Sequence, residues 1–136
     1  MKKQQKNIEM DSKRQGKTNK RKGSNAEREY AAKFREMGFD KCITARLGSK
    51  LHDNCGVDLI NIPFNVQVKA GYGRGLNYSQ VLFYTKSMLQ QNIPDEAELP
   101  VICIHKKPKK KGVTPENEFN ELVVMSFNDF QKLIQK

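Results

Sequence analysis

Two short apolar runs constrain this chain most: Val57-Asp58-Leu59-Ile60 and Val66-Gln67-Val68-Lys69-Ala70. Their β-branched residues and the intervening Pro63-Phe64-Asn65 predict the two strands of a hairpin, over 57–62 and 66–70. A charge inside such a strand is costly unless it has a partner or a chemical task. The register decides whether Asp58, Gln67 and Lys69 meet. With a four-residue loop, Ile62 to Asn65, Leu59 lies opposite Val68 and Val57 opposite Ala70. Val57, Leu59, Val66, Val68 and Ala70 then share one apolar face. Asp58 falls opposite Lys69 on the other face, with Gln67 two residues along. A loop one residue shorter splits the apolar set between faces, so the first register is expected. A bulge could shift the count without changing that outcome.

In this arrangement Asp58 and Gln67 offer two side-chain oxygens at one place, and the Val68 carbonyl could add a third. Hard oxygens completed by water suit Mg2+, with Mn2+ as a substitute. Lys69 beside them could steady an attacking water and the charge developing on a phosphate. An Asp58–Lys69 ion pair on a solvated face is the plain alternative. Glu27 adds weight to the first reading. Ser24-Asn25-Ala26-Glu27 reads as a capping box opening a helix, with Tyr30, Phe34 and Met37 as its apolar stripe and Gly38 as its stop. Glu27 precedes Tyr30 by three, so it shares the core-facing side and can reach the sheet near Asp58. As the third helical residue of a capping box it needs no catalytic reason, and both roles can coexist.

The chain has 136 residues, enough for one domain. Its formal net charge of +10 points to an anionic partner, nucleic acid first. Residues 1–22 carry nine Lys or Arg, Lys20, Arg21 and Lys22 among them, against Glu9 and Asp11. With so little apolar surface to bury, they are expected to be a disordered basic arm, a phosphate-gathering tether or a solubilising tail, ahead of a domain at 23–136. No run reaches the apolar length of a spanning helix and no signal-peptide core is visible, so a cytoplasmic protein is expected. Cys42, Cys55 and Cys103 are odd in number and lack a Cys-x-x-Cys, which argues against a disulfide framework or zinc ribbon. Cys42 and Cys103 are expected in the core. The His52/Cys55 spacing lacks a second ligand pair.

The remaining pattern predicts a strand at 42–47, a polar loop at 48–54, a glycine-rich loop at 71–77 and a helix at 79–91. A strand at 101–105 follows, with His105 at its surface end, then a basic loop at 106–117 and a strand at 122–125. A closing helix at 126–134 carries Phe127, Phe130 and Ile134 on one side. A mixed, mostly antiparallel sheet flanked by helices is expected. The loop with Tyr72, Arg74 and Tyr78 reads either as a mobile DNA-facing segment, with Arg74 on phosphate, or as an ordinary connection. Lys106, Lys107 and Lys109 to Lys111 fit a solvated loop or a contact with DNA backbone.

An aspartate, then Gln-x-Lys across a hairpin, with a glutamate on the preceding helix, resembles the PD-(D/E)XK nuclease superfamily. Within it, Arg21-Lys22-Gly23-Ser24-Asn25-Ala26-Glu27-Arg28 resembles the opening of archaeal-type Holliday junction resolvases. Met37-Gly38-Phe39, Gly48-Ser49-Lys50, Gly56-Val57-Asp58-Leu59-Ile60, Val66-Gln67-Val68-Lys69 and Val101 to Pro108 follow in that family's order. The resemblance spans 21 to about 134. It implies an αβββαβ core of restriction-endonuclease type, of α/β class, with a further C-terminal strand and helix. It implies Mg2+-dependent hydrolysis of phosphodiester bonds in branched DNA by a homodimer. Glu27, Asp58, Gln67 and the Val68 carbonyl would hold the metal, Lys69 would activate water, and Ser49 would touch the scissile phosphate. Lys20, Arg21, Lys22, Arg28, Arg46, Lys50, Arg74, Lys106 and Lys107 would face DNA.

Two departures matter. Val57 stands where the family has proline, and Gln67 where it has an acid. Gln67 also fits Mrr-like restriction or repair nucleases of the same superfamily. A noncatalytic DNA-binding protein on a decayed nuclease scaffold is the reading from a different functional class.

Overall fold

A computed structural model describes residues 21–112 and 114–135; residues 1–20 of the expected basic arm, Lys20 among them, lie outside these, whereas Arg21 and Lys22, expected in that arm, are helical and move the start of the folded part ahead of residue 23. The helix α1 covers residues 21–36. It already contains Arg21 and Lys22, both good helix formers, so Ser24 lies within it rather than capping it. Ala26, Tyr30, Ala31 and Phe34 form the buried stripe, and Gly38 at φ +110° ends the segment.

The expected strand at 42–47 is a two-residue β1, Ile43–Thr44, running straight into a short helix α2, Ala45–Gly48. The expected polar loop at 48–54 is instead helix α3, Lys50–Asn54, whose cap Ser49 accepts from the His52 backbone N–H. Ser, Asp and Asn favour caps and turns as readily as open loops, so one helical turn is easily missed in such a stretch. Then follow β2 (Leu59–Ile60), β3 (Asn65–Ala70), helix α4 (Tyr78–Asn92), β4 (Val101–Lys106), β5 (Glu121–Met125) and helix α5 (Phe127–Ile134). Asn77 caps α4 and Ser126 caps α5 through their side chains.

The five strands form one mixed sheet in the order β1-β2-β3-β4-β5. β3 and β4 are parallel, joined by way of α4; the other pairs are antiparallel. This is an α+β arrangement compatible with the expected class. On one face α1 packs on Leu59, Val66, Val68, Ile102 and Ile104. On the other, Leu89 of α4 packs with Cys55, Val57, Ala97 and Val101. Both faces of β3 and β4 are therefore covered, and the three cysteines are free and buried.

Two expectations change here. Leu59 pairs with Val66 rather than Val68. The slip is of two residues, so side-chain faces are preserved. Val57 does not join Leu59; it packs on the α4 side. The chain turns at Gly56, φ +86°, which breaks the strand alternation just before Asp58. α5 is also reversed relative to an ordinary surface helix. Its buried residue is Asp129, which accepts from the Val101 N–H at 3.0 Å, while Phe127 and Ile134 are 74% and 63% exposed. No helix among the described residues is long and apolar enough to cross a membrane.

Candidate active site

The short β2 creates the site. Beyond Val66, β3 has no strand partner on its β2 side, and a backbone N–H left unpaired there would be costly. Asp58 meets that need: its Oδ2 accepts from the Val68 N–H at 2.7 Å. In a strand the N–H and C=O of one residue point the same way, so the Val68 carbonyl shares that direction. The gap between the two strands opens into a cavity of about 690 Å³ lined by Glu27, Asp58, Gln67, Val68 and Lys69, together with Lys22, Arg46, Gly56 and Tyr72. Glu27 comes from α1, Arg46 from α2, Asp58 from the approach to β2, and the rest of the expected set from β3.

The electrostatics are those of carboxylates held in a largely buried, crowded place. Burial pushes the Asp58 carboxyl up to about 7, and the Glu27 charge adds to this; the Val68 N–H and Lys69 oppose it. Burial also raises Glu27, against the pull of the Arg46 guanidinium. Glu27 is 4% exposed. Arg46 grips it with two nitrogens, at 3.1 and 3.3 Å, and donates to Ser24 Oγ at 3.0 Å. Thus the Ser24 hydroxyl expected to cap α1 instead braces Arg46. Asp53, on α3, adds negative field at both Glu27 and Asp58.

Gln67 is buried, and its Oε1 accepts from the Thr85 hydroxyl of α4 at 2.9 Å. Gly56 completes the wall. A Cβ there would lie 3.1 Å from Thr85 Oγ1 and 3.6 Å from Gln67 Nε2, and its φ of +86° already favours glycine. Lys69 makes no salt bridge among the described residues, and its charge is felt at Glu27 and Asp58. Two carboxylates, one amide and one backbone carbonyl are hard oxygen donors of the type that suits Mg2+ or Mn2+. A cation among them would also favour the ionised form of Asp58, which burial first and the Glu27 charge second oppose. No group of three or more His, Cys, Asp or Glu forms a metal cluster among the described residues, so the amide and carbonyl would have to complete the set.

Ser49 does not line this cavity. Its Oγ lies 2.6 Å from His52 Nδ1, and His52 Nε2 meets Glu96 Oε2 at 2.5 Å. That also occupies the histidine of the His52/Cys55 pair. Of the residues expected to face DNA, Lys22 and Arg46 line the cavity, while Arg21, Arg28, Lys50 and Arg74 are exposed. Lys106 lies in β4 and is held by Glu29 at 2.7 Å; Lys107 follows it, half-buried. His105 is 2% exposed, not at a surface end: parallel pairing with Lys69 carries it under the loop that follows β3.

Two supporting roles escaped sequence reasoning: Thr85 as the partner of Gln67, and the grip of Arg46, expected only to face DNA, on Glu27. A polar Thr85 four residues from Leu89, on the buried side of α4, is the one visible sign of the first. Comparison of the chain with protein-family models, with curated proteins and with solved structures yields no match.

Proposed function

We propose that this chain is a divalent-metal-dependent DNA endonuclease of the PD-(D/E)XK type, acting on branched DNA as a Holliday junction resolvase does. The observation that carries the reading is the convergence of Glu27, Asp58, Gln67, Val68 and Lys69 on one cavity with cationic walls. Glu27, Asp58, Gln67 and the Val68 carbonyl would hold Mg2+, which when bound supplies Lewis-acid polarisation of the phosphate and a more acidic water. Lys69 orients the attacking water and balances charge developing on the phosphate oxygens. Lys22 and Arg46 attract the phosphate backbone. Arg46 has a second duty, opposing the rise that burial imposes on the Glu27 carboxyl. The net charge of +10 supports a polyanionic substrate. A homodimer belongs to the reading, since two sites are needed to cut two strands of a junction. The exposed Phe127, Phe130 and Ile134 of α5 support a second copy there.

The test is cleavage of a labelled four-way junction and of linear duplex with Mg2+, by wild type and by Lys69→Ala. Cutting confined to the junction and lost by at least about 100-fold in Lys69→Ala, with binding retained, is the expected result. Sequence-dependent cutting of plain duplex would instead favour an Mrr-like nuclease. The second reading, a noncatalytic DNA-binding protein, is favoured by the neutral Gln67, whose oxygen is already engaged by Thr85. Equal binding by both proteins with no cutting under any divalent metal would establish it.

A further inference from the structure

The loop that leaves β3 places an aromatic ring at the mouth of the cavity. Tyr72 follows Lys69 by three residues and lines the same cavity as Glu27 and Asp58. It is 53% exposed. Among the described residues its one aromatic contact is a T-shaped one with the His105 ring, centroids 6.4 Å apart and planes at 68°.

Its backbone sits at φ +54°, in the left-handed region that a bulky residue rarely adopts. Such a conformation persists where the surroundings hold it, and the residue before Tyr72 is firmly held. The preceding Gly71 is held through both of its backbone groups. Its N–H donates to the Lys106 carbonyl at 3.0 Å. Its carbonyl accepts from His105 Nε2 at 2.8 Å, while the Tyr78 hydroxyl meets Nδ1 of the same ring at 2.6 Å. The first residue of the loop is thus bolted to β4 and to the start of α4. Tyr72 is carried by an anchored strand end and not by a freely moving loop.

We propose that Tyr72 is a stacking platform for a base whose face a branch point leaves unstacked in the DNA held in this cavity, so that the site favours DNA with an exposed base face beside the scissile phosphate. This rests on reading the cavity as a DNA site. A fixed, solvent-facing aromatic ring stacks on any base whose face is free. Bases within intact duplex already stack on their neighbours, and exposing one costs energy. A ring fixed before binding loses little entropy on making the contact. Lys69 and Lys22, on the same cavity, hold the adjoining phosphates, so base and phosphate are gripped together.

The test uses full-length protein in EDTA with a forked oligonucleotide carrying 2-aminopurine at one unpaired position, and with a fully paired duplex containing the same probe. Wild type and Tyr72→Phe are expected to change the probe emission on the fork and to bind the fork more tightly than the duplex. Tyr72→Ala should lose the emission change and bind the fork about fivefold more weakly or worse, with unchanged duplex binding and an unchanged melting temperature. Tyr72→Gly, which removes the ring and relaxes the backbone, should match Tyr72→Ala on both DNAs, with a melting temperature no lower than that of wild type. The proposal is overturned if Tyr72→Ala matches wild type on the fork, or if it weakens fork and duplex equally. The cleavage assay stands apart: a ring-dependent signal without cutting would reject the nuclease reading and keep this one.

Discussion

Asp58 carries the most consequential prediction, because its ionised form burdens the metal-free fold. Burial lifts its carboxyl from 3.8 to about 7. The folded chain therefore holds this proton more tightly than the unfolded chain. Between these two values the native state binds more protons, so stability falls as pH rises through the window and levels off above it. The full displacement corresponds to on the order of 4 kcal/mol. The site is partly open to solvent, and half of that is the working figure. Asp58→Asn keeps an oxygen for the Val68 N–H, at 2.7 Å in the wild type, and discards the charge. In EDTA at pH 8 the variant should be more stable than wild type by about 2 kcal/mol. At pH 4, where the wild-type carboxyl is protonated when folded, the gain should vanish. Urea titrations at both pH values, read by circular dichroism, measure this directly. Mg2+ should stabilise the wild type and leave the variant unchanged, and DNA cleavage should be lost. A variant no more stable than wild type at pH 8, or equally stabilised at both pH values, would refute the claim that burial governs Asp58.

Two further outcomes follow from the site's supports. Arg46→Ala strips Glu27 of its two-nitrogen partner; because Arg46 is itself half-exposed, the expected loss is about 1–3 kcal/mol at pH 7, shrinking at pH 4 as Glu27 takes up its proton, and urea unfolding at the two pH values checks it. Thr85→Val removes the donor to Gln67 Oε1 with little change of shape; a loss of about 1–3 kcal/mol is expected, and a loss of cleavage larger than this destabilisation explains would show that Thr85 fixes the orientation of the Gln67 amide.

The strands that bear the site were the most legible part. Period-two polarity in a run rich in valine locates β3, and a short continuous apolar run locates β4, each within one residue. Gln67 and Lys69 had to share a face whatever their partners. Asp58 stayed with them although the pairing slipped, because a slip of two leaves every face unchanged. The α1 stripe was legible only in part: Tyr30 and Phe34 are buried, but Met37, expected with them, is 67% exposed, and the side-chain caps of α4 and α5 were not anticipated. The segment from Cys42 to Asn54 misled. It has few apolar residues and many that serve caps, turns or loops alike, so its division into β1, α2 and α3 rests on contacts with the rest of the fold. Ser24, an adequate cap by sequence, became a brace for Arg46 because helix-forming residues precede it.

What the sequence determined by itself was alternation and composition: which side chains share a strand face, where the three longer helices α1, α4 and α5 lie, and an excess of positive charge. Tertiary structure alone decided which partner each polar group received. Arg46 went to Glu27, Thr85 to Gln67, and His52 with Glu96 to Ser49, and His105 was buried beneath the loop that carries Tyr72. Periodicity is enforced by backbone geometry between near neighbours. A buried polar group takes whichever complementary atom the packed fold brings within about 3 Å, and that atom comes from anywhere in the chain.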